Sequence, residues 1–243
     1  LNPIGGGMTI GMMGGAIPQP VSQCVPIANV EKPTGLPIPD ELLGNTVPGW
    51  TGDGPHFGAA VSERYMNYVL GSTYNSGALC LGVGPSALGS AGALLNSDTI
   101  GLLIPSFKDL ARQKLKSPLA LMIRPQEPPS LVVGKGTDLA TDPLLNVTLN
   151  KFNIDFYLWS SDRFMRAFTA CFDIVAPVNL DVTEQSELVP VINEVVVNNP
   201  QIFNADLLRE DEAAAADALA GIVAGQVGSA LGGAIGPISL NDM

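Results

Sequence analysis

Between residues 147 and 175 the sequence alternates strictly enough to dictate its own architecture. Phe152, Ile154, Phe156 and Leu158 fall on one face of an extended chain, and Lys151, Asn153 and Asp155 fall on the other. Ser160 to Arg163 has turn composition, and the returning segment answers with Phe164, Phe168, Phe172 and Ile174. A period of two belongs to a β-strand, whose successive side chains point to opposite faces. The pair is therefore a long antiparallel hairpin with one face loaded with phenylalanine, and that face must be covered by another layer.

The same period extends in both directions. Leu119, Leu121 and Ile123 lead into the turn at residues 126–130, and Leu131–Val133 forms another short strand. Downstream, residues 176–179 (APVN) break the run, Val178–Val182 resumes it, and Val189–Val197 adds a further strand. This is an antiparallel meander with one buried face.

Helical spacing appears in three places. Residues 55–83 read as a helix of some five turns, opened by Pro55 and stopped by Gly77, followed by a short strand at Ala78–Val83. Val61, Tyr65, Tyr68 and Ser72 recur on one side, and Met66, Val69, Leu70 and Thr73 cover much of the rest. A helix apolar nearly all round is normally enclosed, so the sheet is expected to wrap it. A shorter helix is expected after Leu103-Ile104-Pro105, with Ser106 as its N-cap. Residues 204–235 read as a last helix with Asp206, Glu210, Asp211 and Glu212 at its start, where the helix dipole favours them. The four-residue spacing of Gly221/Gly225 and Gly228/Gly232 predicts close packing against a sheet or another helix. Pro237 to Leu240 would be a final strand.

Three segments follow in order. Residues 1–20 are expected to be a leading strand of a central or shared sheet, with Met8, Ile10 and Met12 alternating among glycines. Residues 21–55 are a connector dense in proline, extended and docked on a surface through residues such as Val25, Ile27 and Trp50. Residues 56–243 are the main domain. The chain opens at Leu1 without a charged and then apolar leader, so a signal segment is expected to be gone, or the sequence to be a piece of something longer.

Composition narrows the function. A net charge of −11 with 12 lysines and arginines gives no basic stripe to neutralise phosphates, which argues against nucleic acid. The cluster Lys108, Arg112, Lys114 and Lys116 reads as a solvated helix face. One histidine, His56, and the cysteines Cys24, Cys80 and Cys171 do not make a metal site at these spacings. One disulfide with a free thiol and three buried thiols both satisfy the count, with Cys24 the cysteine best placed to tie the connector down. Low lysine and abundant Asn, Gly, Pro and Thr lean towards an extracytoplasmic location.

Catalytic groups are sparse. No G-x-S-x-G elbow is present. Gly82-Val83-Gly84 with Ala87 lacks the βαβ context of a dinucleotide loop. Glu184 and Glu187 read as solvated carboxylates of a turn, and Asn146-Val147-Thr148 is a glycosylation sequon only if the source glycosylates secreted proteins. The expectation is a protein that is not an enzyme and needs no metal or other cofactor.

Several stretches carry a resemblance in the same order. Val61-Ser62-Glu63 with Tyr65, Asn67 and Tyr74, closing on Gly77-Ala78-Leu79, resembles the first helix of a tubular lipid-binding half-domain. That superfamily includes bactericidal/permeability-increasing protein, lipopolysaccharide-binding protein and cholesteryl ester transfer protein. Leu103-Ile104-Pro105 and its helix, Leu119–Val133 with Pro128-Pro129, and Val191–Phe203 with the closing helix resemble the segments that follow. The likeness covers residues 57–240 and is greatest to the C-terminal half. It implies an α+β fold in which a long, highly twisted antiparallel sheet wraps a long helix, with a second long helix near the C-terminus, as one half of a pseudo-dimer. It also implies an N-terminal half-domain or second similar domain as partner, transient membrane contact, and no catalytic residues.

The expected function is non-catalytic binding and transfer of a phospholipid-like acyl lipid in an apolar tunnel between helix and sheet. Val61, Tyr65, Tyr68 and Leu79 would line it from the helix side, and Phe152, Ile154, Phe156, Phe168 and Phe172 from the sheet. The alternative is an assembly module of an extracytoplasmic complex (periplasm, outer surface or secreted) that keeps the fold with a filled core.

Overall fold

The computed structural model describes residues 2–4, 7–9, 14–17, 21–33, 61–86, 95–111, 116–185, 187–192, 194–234 and 238–239. In chain order its elements are β1 (Asn2–Ile4), β2 (Gly7–Thr9), α1 (Glu63–Asn75), β3 (Leu81–Val83), α2 (Ser97–Ile100), α3 (Ser106–Leu110), β4 (Leu119–Pro125), β5 (Ser130–Val133), β6 (Leu145–Ser160), β7 (Arg163–Val182), β8 (Glu187–Ile192), β9 (Val196–Phe203), α4 (Glu212–Ala234) and β10 (Ile238–Ser239).

The chain is α+β with a strongly curled antiparallel sheet framed by the hairpin β6–β7. On its free side β6 pairs with β4 over Phe152–Leu158 and then with β5 over Leu145–Thr148. On its other side β7 pairs with β9 over Thr169–Val175 and then with β8 over Val178–Val182. Register shifts at Leu149/Phe152, Phe156/Tyr157 and Cys171/Asp173 bend the strands, since a bulge adds local twist.

The break expected at residues 176–179 is not there: β7 runs unbroken for 20 residues. Pro177 falls between the end of the β9 pairing at Val175 and the start of the β8 pairing at Val178. A missing N–H is tolerated there because no strand lies alongside on that side. The single strand expected at Val189–Val197 is instead the end of β8 and the start of β9, two separate partners of β7. Within residues 1–20 the described strands β1 and β2 pair with each other, and residues 10–13 of the expected leading strand lie outside the described residues.

One apolar core covers the inner face of the hairpin. Phe156, Phe168, Phe172 and Ile174 from the sheet meet Ile104 and Phe107 from the α3 region and Ala215, Ala216, Leu219 and Val223 from α4. The spacing 215, 216, 219, 223 is one face of a helix. Phe107 is fully buried, edge-on to Phe168 at 5.6 Å, and Phe168 stacks on Phe156 at 4.5 Å. Each buried ring contributes about 1.5–3 kcal/mol of transfer free energy.

No residue of α1 belongs to this cluster or packs on it, among the described residues. The helix is 13 residues long, begins at the extended N-cap Ser62 and covers the edge of β5. The helices that cover the sheet are α3 and α4. Residues 55–60, including the expected start at Pro55, lie outside the described residues.

The two other helix starts differ from expectation through one long-range contact. The side chain of Glu210 turns back to α3, accepting from the N–H of Ser106 at 2.7 Å and from its hydroxyl at 2.6 Å. Ser106 is thus inside α3, with Pro105 at the N-cap position. The last helix starts later, at Glu212, and Asp211 accepts from the N–H of Ala214 at 2.9 Å. The last helix packs against the sheet as expected, but through Ala215, Ala216, Leu219 and Val223. Gly221 and Gly225 are exposed, and among the described residues nothing lies within 4 Å of where a Cβ would stand.

Candidate ligand-binding site

The structure separates the nine predicted lining residues into two groups. Phe152, Ile154, Phe156, Phe168 and Phe172 all lie in or against the core, where rings and methyl groups of α3 and α4 fill the inner face. Tyr65 and Tyr68 belong to α1, which packs on β5, and Val61 and Leu79 flank that helix in the chain. Val61 is 61% exposed. The ring of Tyr65 lies against the backbone of Gly14, so closely that a Cβ at Gly14 would overlap it.

Polar side chains and one covalent bond hold α1 in place. Asn67 uses both ends of its carboxamide on Leu131: Oδ1 accepts from the Leu131 N–H and Nδ2 donates to its carbonyl, both at 2.7 Å. Glu63 Oε2 accepts from the N–H of Val133 at 2.9 Å. These side chains occupy the edge of β5 that pairs with no strand, a position that otherwise invites association. On the opposite flank Asn75 makes the same two-ended contact with Ala28, at 2.9 Å in each direction. The hydroxyl of Ser72 donates to the carbonyl of Ala16 at 3.1 Å, and Gly71 gives way to the Val30 side chain.

A disulfide between Cys24 and Cys80 locks the connector to the residues after α1, leaving Cys171 as the free thiol. Such bonds persist in oxidising compartments, which points to an extracytoplasmic setting. No helix among the described residues is long and apolar enough to cross a membrane.

A groove of about 710 Å³ runs along this clasp, between Lys32 and Pro33 on one side, Arg64, Tyr68 and Gly71 of α1, and the Pro128-Pro129 turn. Tyr68 is the predicted lining residue that it reaches. The neighbouring Tyr74 is fully buried, and its hydroxyl has no hydrogen-bond partner among the described residues. Burial first, and the charge of Glu127 second, push this phenol above its ordinary value. It is neutral at physiological pH.

Other sequence signals resolve simply. Gly82 and Val83 lie in β3, which pairs antiparallel with β4 and not within a parallel βαβ unit. Asn146 sits within β6, partly exposed, with its side-chain oxygen buried. Glu187 begins β8, and its N–H and carbonyl both bond Thr183 across the turn. His56 and residues 112–115 lie outside the described residues. Among the described residues no group of three or more His, Cys, Asp or Glu side chains could hold a metal.

The sequence reading missed the polar cluster on the outer face of the hairpin. Asp155, 1% exposed, accepts from Arg124 Nε at 2.7 Å and from the Thr169 hydroxyl at 2.6 Å. Its alternation with Ile154 and Phe156 marked it as outward-facing, but nothing in the local pattern showed that Arg124 would cover it. No protein-family model and no curated protein matches this chain.

Proposed function

We propose that the chain is a non-catalytic assembly module of an extracytoplasmic complex, periplasmic, surface-exposed or secreted, that keeps a tubular lipid-binding-like fold while filling its interior with side chains. Its partner would be a second domain of the same kind. The observation that supports this reading is the Phe107–Phe168–Phe156 stack, which packs side chains of α3 directly against the inner face of the sheet.

Lipid carriage is the second reading, and two observations favour it. The groove beside α1 reaches Tyr68, with Arg64 and Lys32 at hand for a zwitterionic headgroup. The tip of the β6–β7 hairpin exposes Trp159, Phe164 and Met165 beside Arg163, a combination suited to brief contact with a membrane surface.

Native mass spectrometry before and after incubation with phosphatidylcholine vesicles separates the two. The assembly reading expects the bare chain mass in both samples. A stoichiometric mass increment that extracts as acyl lipid would replace it with the carrier reading.

A further inference from the structure

On the outer face of the sheet, away from both the core and α1, a second groove of about 470 Å³ crosses β6, β7 and β9. Five carboxamides line it: Gln126, Asn150, Asn153, Asn199 and Gln201. Asparagine is depleted in strands, so its recurrence on adjacent strands runs against local preference. The backbone is also unusual here. Lys151 and Asn199 both have positive φ, +48° and +47°, in the left-handed region, and both stand beside bulges in the pairing with β7. Strain of this kind persists where the surroundings impose it and gathers at binding sites.

The side chains are pre-set. Asp173 accepts from the N–H of Lys151 at 2.9 Å and from Asn199 Nδ2 at 2.7 Å, which fixes the direction of the Asn199 carboxamide. Lys151 Nζ pairs with Glu127 at 2.6 Å. Cys171, a buried free thiol, forms part of the floor. Phe203, 44% exposed, lines the groove as its one aromatic side chain.

We propose that this groove binds a neutral oligosaccharide, its hydroxyls read by the carboxamides and by the remaining lone pairs of Asp173, and one sugar face resting on Phe203. A carboxamide both donates and accepts, as a sugar hydroxyl does. The volume falls in the range of small-molecule sites, and the span from β6 to β9 is about 10 Å at two strand spacings. Other ligand classes fit worse. Two carboxylates against one paired ammonium repel an anion. An extended peptide adds to a free strand edge, whereas this groove lies across β6, β7 and β9, which are hydrogen-bonded to one another.

The test follows the side-chain NH₂ resonances of the ¹⁵N-labelled chain during titration with maltotriose, cellotriose, mannotriose and chitotriose, each to roughly 20 mM, for a Kd on the order of 1 mM. At least one sugar is expected to shift the Asn150, Asn199 and Gln201 signals saturably. Phe203→Ala is expected to weaken binding at least about tenfold, as loss of a central aromatic contact does. Asn199→Gly, which keeps the left-handed backbone, should weaken it too. Leu102→Ala, at a 75% exposed position outside the groove, should leave it unchanged. Silence of the groove signals with all four sugars would overturn the proposal. So would unchanged affinity in folded Phe203→Ala and Asn199→Gly chains.

Discussion

The core of the β6–β7 hairpin and the clasp around α1 are built from different forces. The core is cohesive and non-directional: rings and methyls of Phe107, Phe168, Leu219 and Val223 exclude water together. The clasp is a set of aimed contacts, in which Asn67 and Asn75 each satisfy both backbone groups of one residue and Cys24–Cys80 supplies a covalent tie. An apolar core yields gradually to repacking, whereas an aimed contact is either made or lost. Apolar spacing alone therefore misjudged which helix was central.

The largest way to break the comparison is on the core side. Phe107→Ala removes a fully buried ring at the centre of the stack and is expected to cost about 3–5 kcal/mol, measured by denaturant unfolding. The loss should fall on the whole sheet. A loss confined to α1 would mean that the two regions are not independent.

Next comes the clasp. Replacing Cys24 and Cys80 together by serine opens a closure spanning 56 residues in sequence, with an expected cost of about 2–4 kcal/mol. Limited proteolysis should then cut within residues 21–33 or at α1 while β6 and β7 stay intact. Early cleavage in the hairpin would contradict this.

The smallest effect is at Glu210. Partial burial alone would raise this carboxyl, but the hydrogen bonds from Ser106 outweigh it and hold the group below its ordinary value. A depressed carboxyl contributes stability that is present above its unfolded pKa and lost as pH falls through the folded one. Glu210→Gln should therefore cost about 1 kcal/mol at neutral pH, after allowance for solvent screening, and the difference from wild type should shrink in acid. Urea midpoints at neutral and acidic pH check the sign; a gap that widens in acid would refute it.

The strands were legible because period two is a local property. Phe152, Ile154, Phe156 and Leu158 announce both their conformation and their buried face. What covers that face is not local. Tyr65, Met66, Tyr68 and Val69 have the apolar content of a core helix, yet they are half-buried beside β5 and the connector. Ser106 and Glu210 meet across 104 residues, so Ser106 read as a cap and Glu210 as part of the last helix. The outer groove was invisible for a similar reason: Asn150, Asn199 and Gln201 carry no local signal of a site, and only pairing with β7 sets them side by side.

Hydrogen exchange of the intact chain tests most directly whether α1 lies outside the core. The account predicts that amides of Glu63–Asn75 exchange through a local opening well below the global unfolding free energy, while those of Ala167–Ile174 exchange only on global unfolding. Equal protection of both segments, as expected of a sheet wrapped around its central helix, would contradict it.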